Sequence, residues 1–262
     1  MSTPEPVRVR DQERVRWIVL ERPESKNGLT FETNQRIIAA VREAAERRDL
    51  RVVVLFGAGG TFCSGADLKS ALQEGAPTDL EARVRDYFHG MIRALQACPK
   101  PIVALVDGAA VGYGCDLALA CDVRLGTERT RMGEVFVRRG LMPDGGGTWF
   151  LPRVIGLGKA LELMLTGDLV GADEALRLGL LNRIVPSATC ERECQAFADR
   201  LAAGPPLVHA RVKAAVYAAT ATSLDAALDT ELRGQLELLR SKDFLEGLQA
   251  FFQKREPEFK GE

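Results

Sequence analysis

The chain has 262 residues, of which 46% are hydrophobic and 27% charged, and its 35 basic and 36 acidic side chains leave a net charge of −1. That length can bury a large core, and the even charge balance excludes the basic footprint needed to bind nucleic acid or an anionic membrane. No apolar run is long enough to span a bilayer. The opening stretch lacks the apolar centre of a signal peptide, so a cytoplasmic protein is expected, with residues 1–6 frayed. The six cysteines form no CxxC pair, and the two histidines stand apart from them. Reduced, buried thiols acting as small apolar groups are therefore expected, with no metal site.

In chain order, the loose alternation over residues 7–21 predicts a hairpin of two strands. "RPESKNGL" (22–29) is a turn punctuated by Pro23 and the Asn27-Gly28 pair. Residues 31–48 carry apolar groups at helical spacing. "RVVVLFGAG" (51–59) is too short and too β-branched for a helix and reads as a buried strand ending in glycine. Residues 79–97 form an amphipathic helix. "PIVALVDG" (101–108) is a further strand, "YGCDLALACD" (113–122) an apolar helix, and "VRLGTE" a short strand. Helices follow over 157–166, closed by Gly167, and over 172–179, capped by Gly179. "NRIVP" is a last short strand. After "AAGPP" (202–206) the chain is almost all helix to residue 255, with "ATSL" as a break. Strands alternating with helices over 1–200, then a helical region over 201–262, make an α/β chain with a helical appendage.

Three glycine-containing loops carry the chemistry. Residues 61–69, "TFCSGADLK", follow a strand, and Gly65 lets backbone approach a ligand closely. "KPIVALVDGAAVGYGCDLALACD" (100–122) also runs from a strand through a glycine-rich loop into a helix. Both turns can present outward-pointing N–H groups to an anion. The third loop, "GLMPDGGGTW" (140–149), surrounds one carboxylate, Asp144, with glycines.

Together with "EALRLGLLNRIV" and "EGLQAFFQKREPEFKG", these motifs resemble the crotonase superfamily, the enoyl-CoA hydratase/isomerase family, over essentially the whole chain. The resemblance implies a spiral of ββα turns followed by a C-terminal helical trimerisation region. It implies an acyl-coenzyme A thioester as substrate, with coenzyme A as part of that substrate and no prosthetic group. It also implies a homotrimer or a dimer of trimers. The amides of Ala66 and Tyr113 fall where the family binds the thioester oxygen as it becomes an enolate. Tyr113 stands where glycine is common. The coenzyme A positions are Lys26, Cys63, Asp67, Leu68 and Lys69, and Phe251 and Lys254 match positions that reach a neighbouring subunit's ligand. Phe136, Met142 and Trp149 are expected to wall the acyl pocket.

Hydratases of the family use two glutamates. Here Asp116 takes the first position and Phe136 the second, and the nearby Glu134 lies two residues too early to substitute. Water addition needs one group to activate water while the α-carbon is protonated, so the two-carboxylate arrangement is broken. Asp144 reads locally as a turn residue or a helix N-cap. By register it falls where dienoyl-CoA, ring-epoxide and ring-oxepin acyl-CoA isomerases, and a chlorobenzoyl-CoA dehalogenase, carry an acid. An acid partly desolvated beside Phe136 and Met142 has a raised pKa, suited to moving a proton between carbons. Asp116 assists or orients it, and His89 is expected on the surface or the pocket wall. Isomerisation is the leading expectation. The alternatives are hydration by Asp116 with Asp144, thioester hydrolysis, dehalogenation or decarboxylation, a carrier-protein-bound substrate, and a non-enzymatic binding subunit.

Overall fold

A computed structural model describes residues 5–70 and 79–262, so most of the expected frayed segment 1–6 lies outside the described residues. Strands β1 (Val7–Gln12) and β2 (Val15–Leu20) form the expected antiparallel hairpin. Its turn residue Glu13 adopts a left-handed φ of 54°. Helix α1 (Phe31–Glu46) begins at Thr30, whose side chain accepts the Thr33 N–H at 3.2 Å, an N-cap that satisfies one orphan donor of the first turn. β3 (Val52–Gly57), β4 (Ile102–Val106), β6 (Val123–Gly126) and β9 (Arg183–Ile184) then add in parallel to β2. The resulting six-stranded sheet has the order β1-β2-β3-β4-β6-β9.

Parallel strands covered on both faces should be apolar throughout, and β2, β3 and β4 are buried at every position. One face packs Val15, Trp17, Val19, Val54 and Val103 against Cys190, Cys194 and Ala198 of α7 (Cys190–Ala202). The i,i+4 spacing of those two cysteines puts both on the sheet-facing side, and all six thiols are free and buried. The other face packs Ile18, Leu55 and Ala104 against α1, α2 (His89–Ala97) and α3 (Tyr113–Leu119).

A smaller sheet was not foreseen. β5 (Ala109–Val111) runs parallel to β7 (Arg131–Gly133), which pairs antiparallel with β8 (Val170–Gly171). Strands of two or three residues are too short to show alternation. The helix expected over 79–97 is helical but discontinuous: a turn at Leu80–Arg83 and a π-helical turn at Val84–Phe88 precede α2. Helices α4 (Gly147–Ile155), α5 (Leu157–Thr166) and α6 (Ala172–Leu178) follow the third glycine loop, and Gly167 and Gly179 end the last two in left-handed conformations, as expected. After α7 come α8 (Pro206–Ala219), α9 (Leu224–Leu238) and α10 (Lys242–Gln253). Ser241 caps α10 and adds a second break to the helical region.

Candidate active site

The first loop is held between two other segments. Ser64 N–H donates to Lys26 C=O, Leu29 N–H to Gly65 C=O and Asp67 N–H to Leu29 C=O, at 2.8–3.1 Å. On the other side Cys63 N–H donates to Ala109 C=O and Val111 N–H to Cys63 C=O. The "RPESKNGL" turn is therefore a scaffold. Buried Asn27 accepts the Arg22 N–H and donates to the carbonyls of Ala58 and Thr61.

This bracing sets Ala66 beside the start of α3. Gly65 has φ +91°, and a β-carbon there would stand 3.2 Å from the Tyr113 nitrogen and 3.1 Å from the Val111 oxygen. A β-carbon on Gly114 would lie 2.1 Å from Cys63 C=O, so the two loops touch only because both positions lack side chains. Among the described residues, the Ala66 and Tyr113 N–H groups donate to no backbone or side-chain acceptor. Tyr113 sits in the first turn of α3, where amides have no helical partner.

The Tyr113 ring turns inward. Its hydroxyl donates to Phe88 C=O at 2.6 Å, and its ring meets Phe88 edge-on at 4.8 Å. Phe88 is the last residue of the π-helical turn, so the acceptor comes from that turn. Gly145 lies on the ring, since a β-carbon there would approach Tyr113 Cε2 to 2.6 Å.

Asp116, one turn further along α3, is fully buried, and its Oδ2 accepts the Gly145 N–H at 2.9 Å. Burial pushes its carboxyl up to about 7; the Gly145 N–H works against this and nearby Asp144 adds to it. Asp144 stands on the adjoining residue and is exposed at the mouth of a cavity. Partial burial raises its pKa while His89 draws it down. Asp144 and His89 line one cavity of about 300 Å³ with Ile92, Pro143, Gly146 and Thr148. Asp144 is not the N-cap of α4: that position is Gly146, with no side-chain cap. His89 is thus a wall of the Asp144 cavity.

Phe136 stands near Gly112, with ring carbons 3.9 Å from the position of a β-carbon there. Trp149 is half-buried in α4 and stacks edge-on with Phe150. Met142 is 69% exposed, so in this chain it does not desolvate Asp144 as expected. Cys63, expected at the coenzyme, has its side chain in the core and its Sγ accepting the Gly65 N–H. Asp67 pairs with Arg22 at 2.8 Å, which braces the first loop rather than leaving a free carboxylate for a ligand. Lys26, Leu68 and Lys69 are exposed on the rim of that loop. Phe251 lines an apolar cavity of about 400 Å³ between α8, α9 and α10, and Lys254 closes α10 in a left-handed conformation, so within one chain neither joins the Ala66–Tyr113 site.

Glu134 is the group that sequence register set aside. It is 1% exposed and packs against Asp116 across Gly147. An acid inside the apolar run "RMGEVFV" was the available signal.

The description "Enoyl-CoA hydratase/isomerase" belongs to the family model that matches residues 10–262. The chain belongs to the enoyl-CoA hydratase/isomerase family. It is 42% identical over 244 residues to a "Probable enoyl-CoA hydratase" of Rhodobacter capsulatus, covering 93% of each chain. It is 34% identical over 249 residues to the 1,2-epoxyphenylacetyl-CoA isomerase of Escherichia coli, covering 94% of this chain and 95% of that one. The crystal structure of an enoyl-CoA hydratase from Bacillus anthracis superposes with a TM-score of 0.94 at 32% identity, over 98% of this chain and 100% of that one. The α/β architecture is therefore the crotonase fold, and the chain is an enzyme of a family acting on coenzyme A thioesters. Among the described residues no group of three or more His, Cys, Asp or Glu side chains is placed to hold a metal ion, and no helix is long and apolar enough to cross a membrane.

Proposed function

We propose that this family member isomerises an acyl-CoA, moving a double bond or rearranging a ring through a thioester enolate. The Ala66 and Tyr113 amides receive the thioester oxygen. Removing a proton from the α- or γ-carbon places negative charge on that oxygen, and two preorganised donors stabilise it. Asp144 takes the proton from one carbon and returns it to another. Its raised pKa brings it closer to that of a group able both to accept and to release a proton near neutrality.

The observation that carries this reading is the unequal placement of the two aspartates. Asp144 faces a cavity, while Asp116 is sealed beneath Gly145 and Gly147 and Phe136 replaces a second acid. One accessible carboxylate suffices for a shuttle, whereas hydration needs a second group on the water. The test is incubation of 2-enoyl- and 3-enoyl-CoA esters in ¹⁸O-labelled water with the wild type and Asp144→Asn. Interconversion of the esters without label, lost in the variant, supports isomerisation. Labelled 3-hydroxyacyl-CoA as the main product refutes it in favour of hydration.

The second part of the proposal is self-association through the C-terminal helices, as a trimer or a dimer of trimers. Leu224, Leu228, Leu232 and Leu236 recur every fourth residue along α9 and are all exposed, an apolar stripe of the kind that marks an interface. Light scattering on the purified chain gives the oligomer mass. A monomer at micromolar concentration contradicts this part.

A further inference from the structure

Behind the proposed site lies a second acidic group that the isomerase reading does not use. Glu134 follows β7 and points into the interior beneath α3 and α4. Both of its carboxylate oxygens, and Oδ1 of Asp116, are buried and lack a well-formed hydrogen bond, the nearby donors being the weak Cys115 thiol beside Glu134 and the Gly147 N–H beside Asp116. A β-carbon on Gly147 would stand 2.3 Å from Asp116 Oδ1 and 3.0 Å from Glu134 Oε1, so the two acids share the space over one glycine. The other titratable groups facing them are the Cys115 thiol, the Tyr113 hydroxyl and Asp144, with His89 beyond Asp144. Tyr113 already donates to Phe88 C=O, and none of these groups is a cation paired with Glu134. Two facing carboxylates in a dry interior leave acceptors unsatisfied and charges uncompensated, which is costly. A single shared proton removes one of the two charges and gives Asp116 Oδ1 a donor.

We propose that Glu134 is a positioning residue, protonated and donating its O–H to Asp116 Oδ1, so that Asp116 Oδ2 stays fixed on the Gly145 N–H and holds the loop that carries Asp144. Burial and the Asp116 charge both raise the Glu134 pKa well above the ordinary carboxylate range, in keeping with this. The chain of contacts is short: Glu134 to Asp116, Asp116 to Gly145 N–H, Gly145 to the adjacent Asp144. That this loop serves proton transfer rests on the isomerase reading; the proton and the loop's rigidity do not.

The test uses the full chain and needs no turnover. Difference infrared spectra at neutral pH are expected to contain a carboxylic-acid C=O band that disappears in Glu134→Gln. Hydrogen exchange of the peptide spanning residues 140–149 is expected to match the wild type in Glu134→Gln, whose amide can still donate to Asp116. It is expected to quicken by about tenfold or more in Glu134→Leu, which cannot, since tenfold corresponds to roughly the 1.4 kcal/mol of one buried hydrogen bond. Absence of the acid band at neutral pH, Glu134→Gln exchanging faster than wild type, or Glu134→Leu exchanging at the wild-type rate each overturns the proposal. If Glu134→Leu does not fold, the band and the Glu134→Gln exchange decide. A positive result alongside failed isomerisation in the Asp144→Asn experiment removes the functional reading and leaves the shared proton standing.

Discussion

Gly65→Ala perturbs the proposed oxyanion site without removing any functional atom. The substitution has two consequences of different size and readout. First, φ +91° is left-handed backbone that a β-carbon strains, at a cost of about 1–3 kcal/mol of stability. Second, the added methyl stands 3.2 Å from the Tyr113 nitrogen and 3.1 Å from Val111 C=O, inside the shell that a thioester oxygen needs to reach that amide. Loss of one oxyanion donor lowers kcat by roughly 10²–10³, or about 2.7–4 kcal/mol of transition-state stabilisation. The rate effect should therefore exceed the folding effect, and it should appear in kcat with KM little changed, because the donor acts most strongly on the enolate. The assay is turnover of the accepted enoyl-CoA ester, paired with urea denaturation. Isotope-edited infrared spectra of the bound thioester carbonyl give an independent view, since the bound carbonyl is less polarised when a donor is lost. A kcat within about threefold of wild type in a folded Gly65→Ala protein, with an unchanged carbonyl band, refutes the assignment of these two amides.

Asp116→Asn is expected to stabilise the protein at high pH. The folded Asp116 carboxyl lies near 7, against 3.8 ordinarily, so the folded state binds more protons than the unfolded one between these values and wild-type stability falls as pH rises through that window. In the variant this fall is expected to be blunted, so its stability relative to wild type should rise with pH through that window, as measured by urea midpoints across pH. Asn27→Ala removes three hydrogen bonds, one that closes the "RPESKNGL" turn on Arg22 N–H and two that tie it to Ala58 C=O and to Thr61 C=O at the start of the first loop. A loss of about 3 kcal/mol in denaturant unfolding is expected, at about 1 kcal/mol each, accompanied by a fall in kcat as Ala66 loses its bracing. Because a base must be ionised, kcat/KM should rise with pH through the raised Asp144 pKa, and its acidic limb should vanish in Asp144→Asn.

The parts of the fold set by local chemistry were legible in the sequence. The hairpin, the buried parallel strands and the helices ended by Gly167 and Gly179 follow from apolar period and glycine punctuation. The second sheet was not, because β8 has two residues and β5 and β7 three each, and their pairing is decided by where the loops meet. The π-helical turn before His89 leaves no sequence period either. Within the site, the glycine loops and Asp144 stood out because glycines around an acid are rare outside turns and sites. Glu134 was set aside because register compares positions along the chain, whereas its contact with Asp116 is made across Gly147 by tertiary packing. The inward turn of the Tyr113 ring depends on Phe88 C=O, a partner 25 residues away. Conversely, Met142 was expected to desolvate Asp144 from its neighbourhood in sequence and proves exposed.

The central claim is that Asp144 moves protons on carbons adjacent to a thioester held by the Ala66 and Tyr113 amides. Its most direct measurement is deuterium wash-in from D₂O to the C2 and C4 positions of a bound acyl-CoA, followed by NMR or mass spectrometry. The account predicts exchange at one or both carbons with the wild type and a loss of roughly 10²–10⁴-fold with Asp144→Asn, the span of one general acid–base group. Exchange that proceeds at the wild-type rate in the folded Asp144→Asn protein contradicts it.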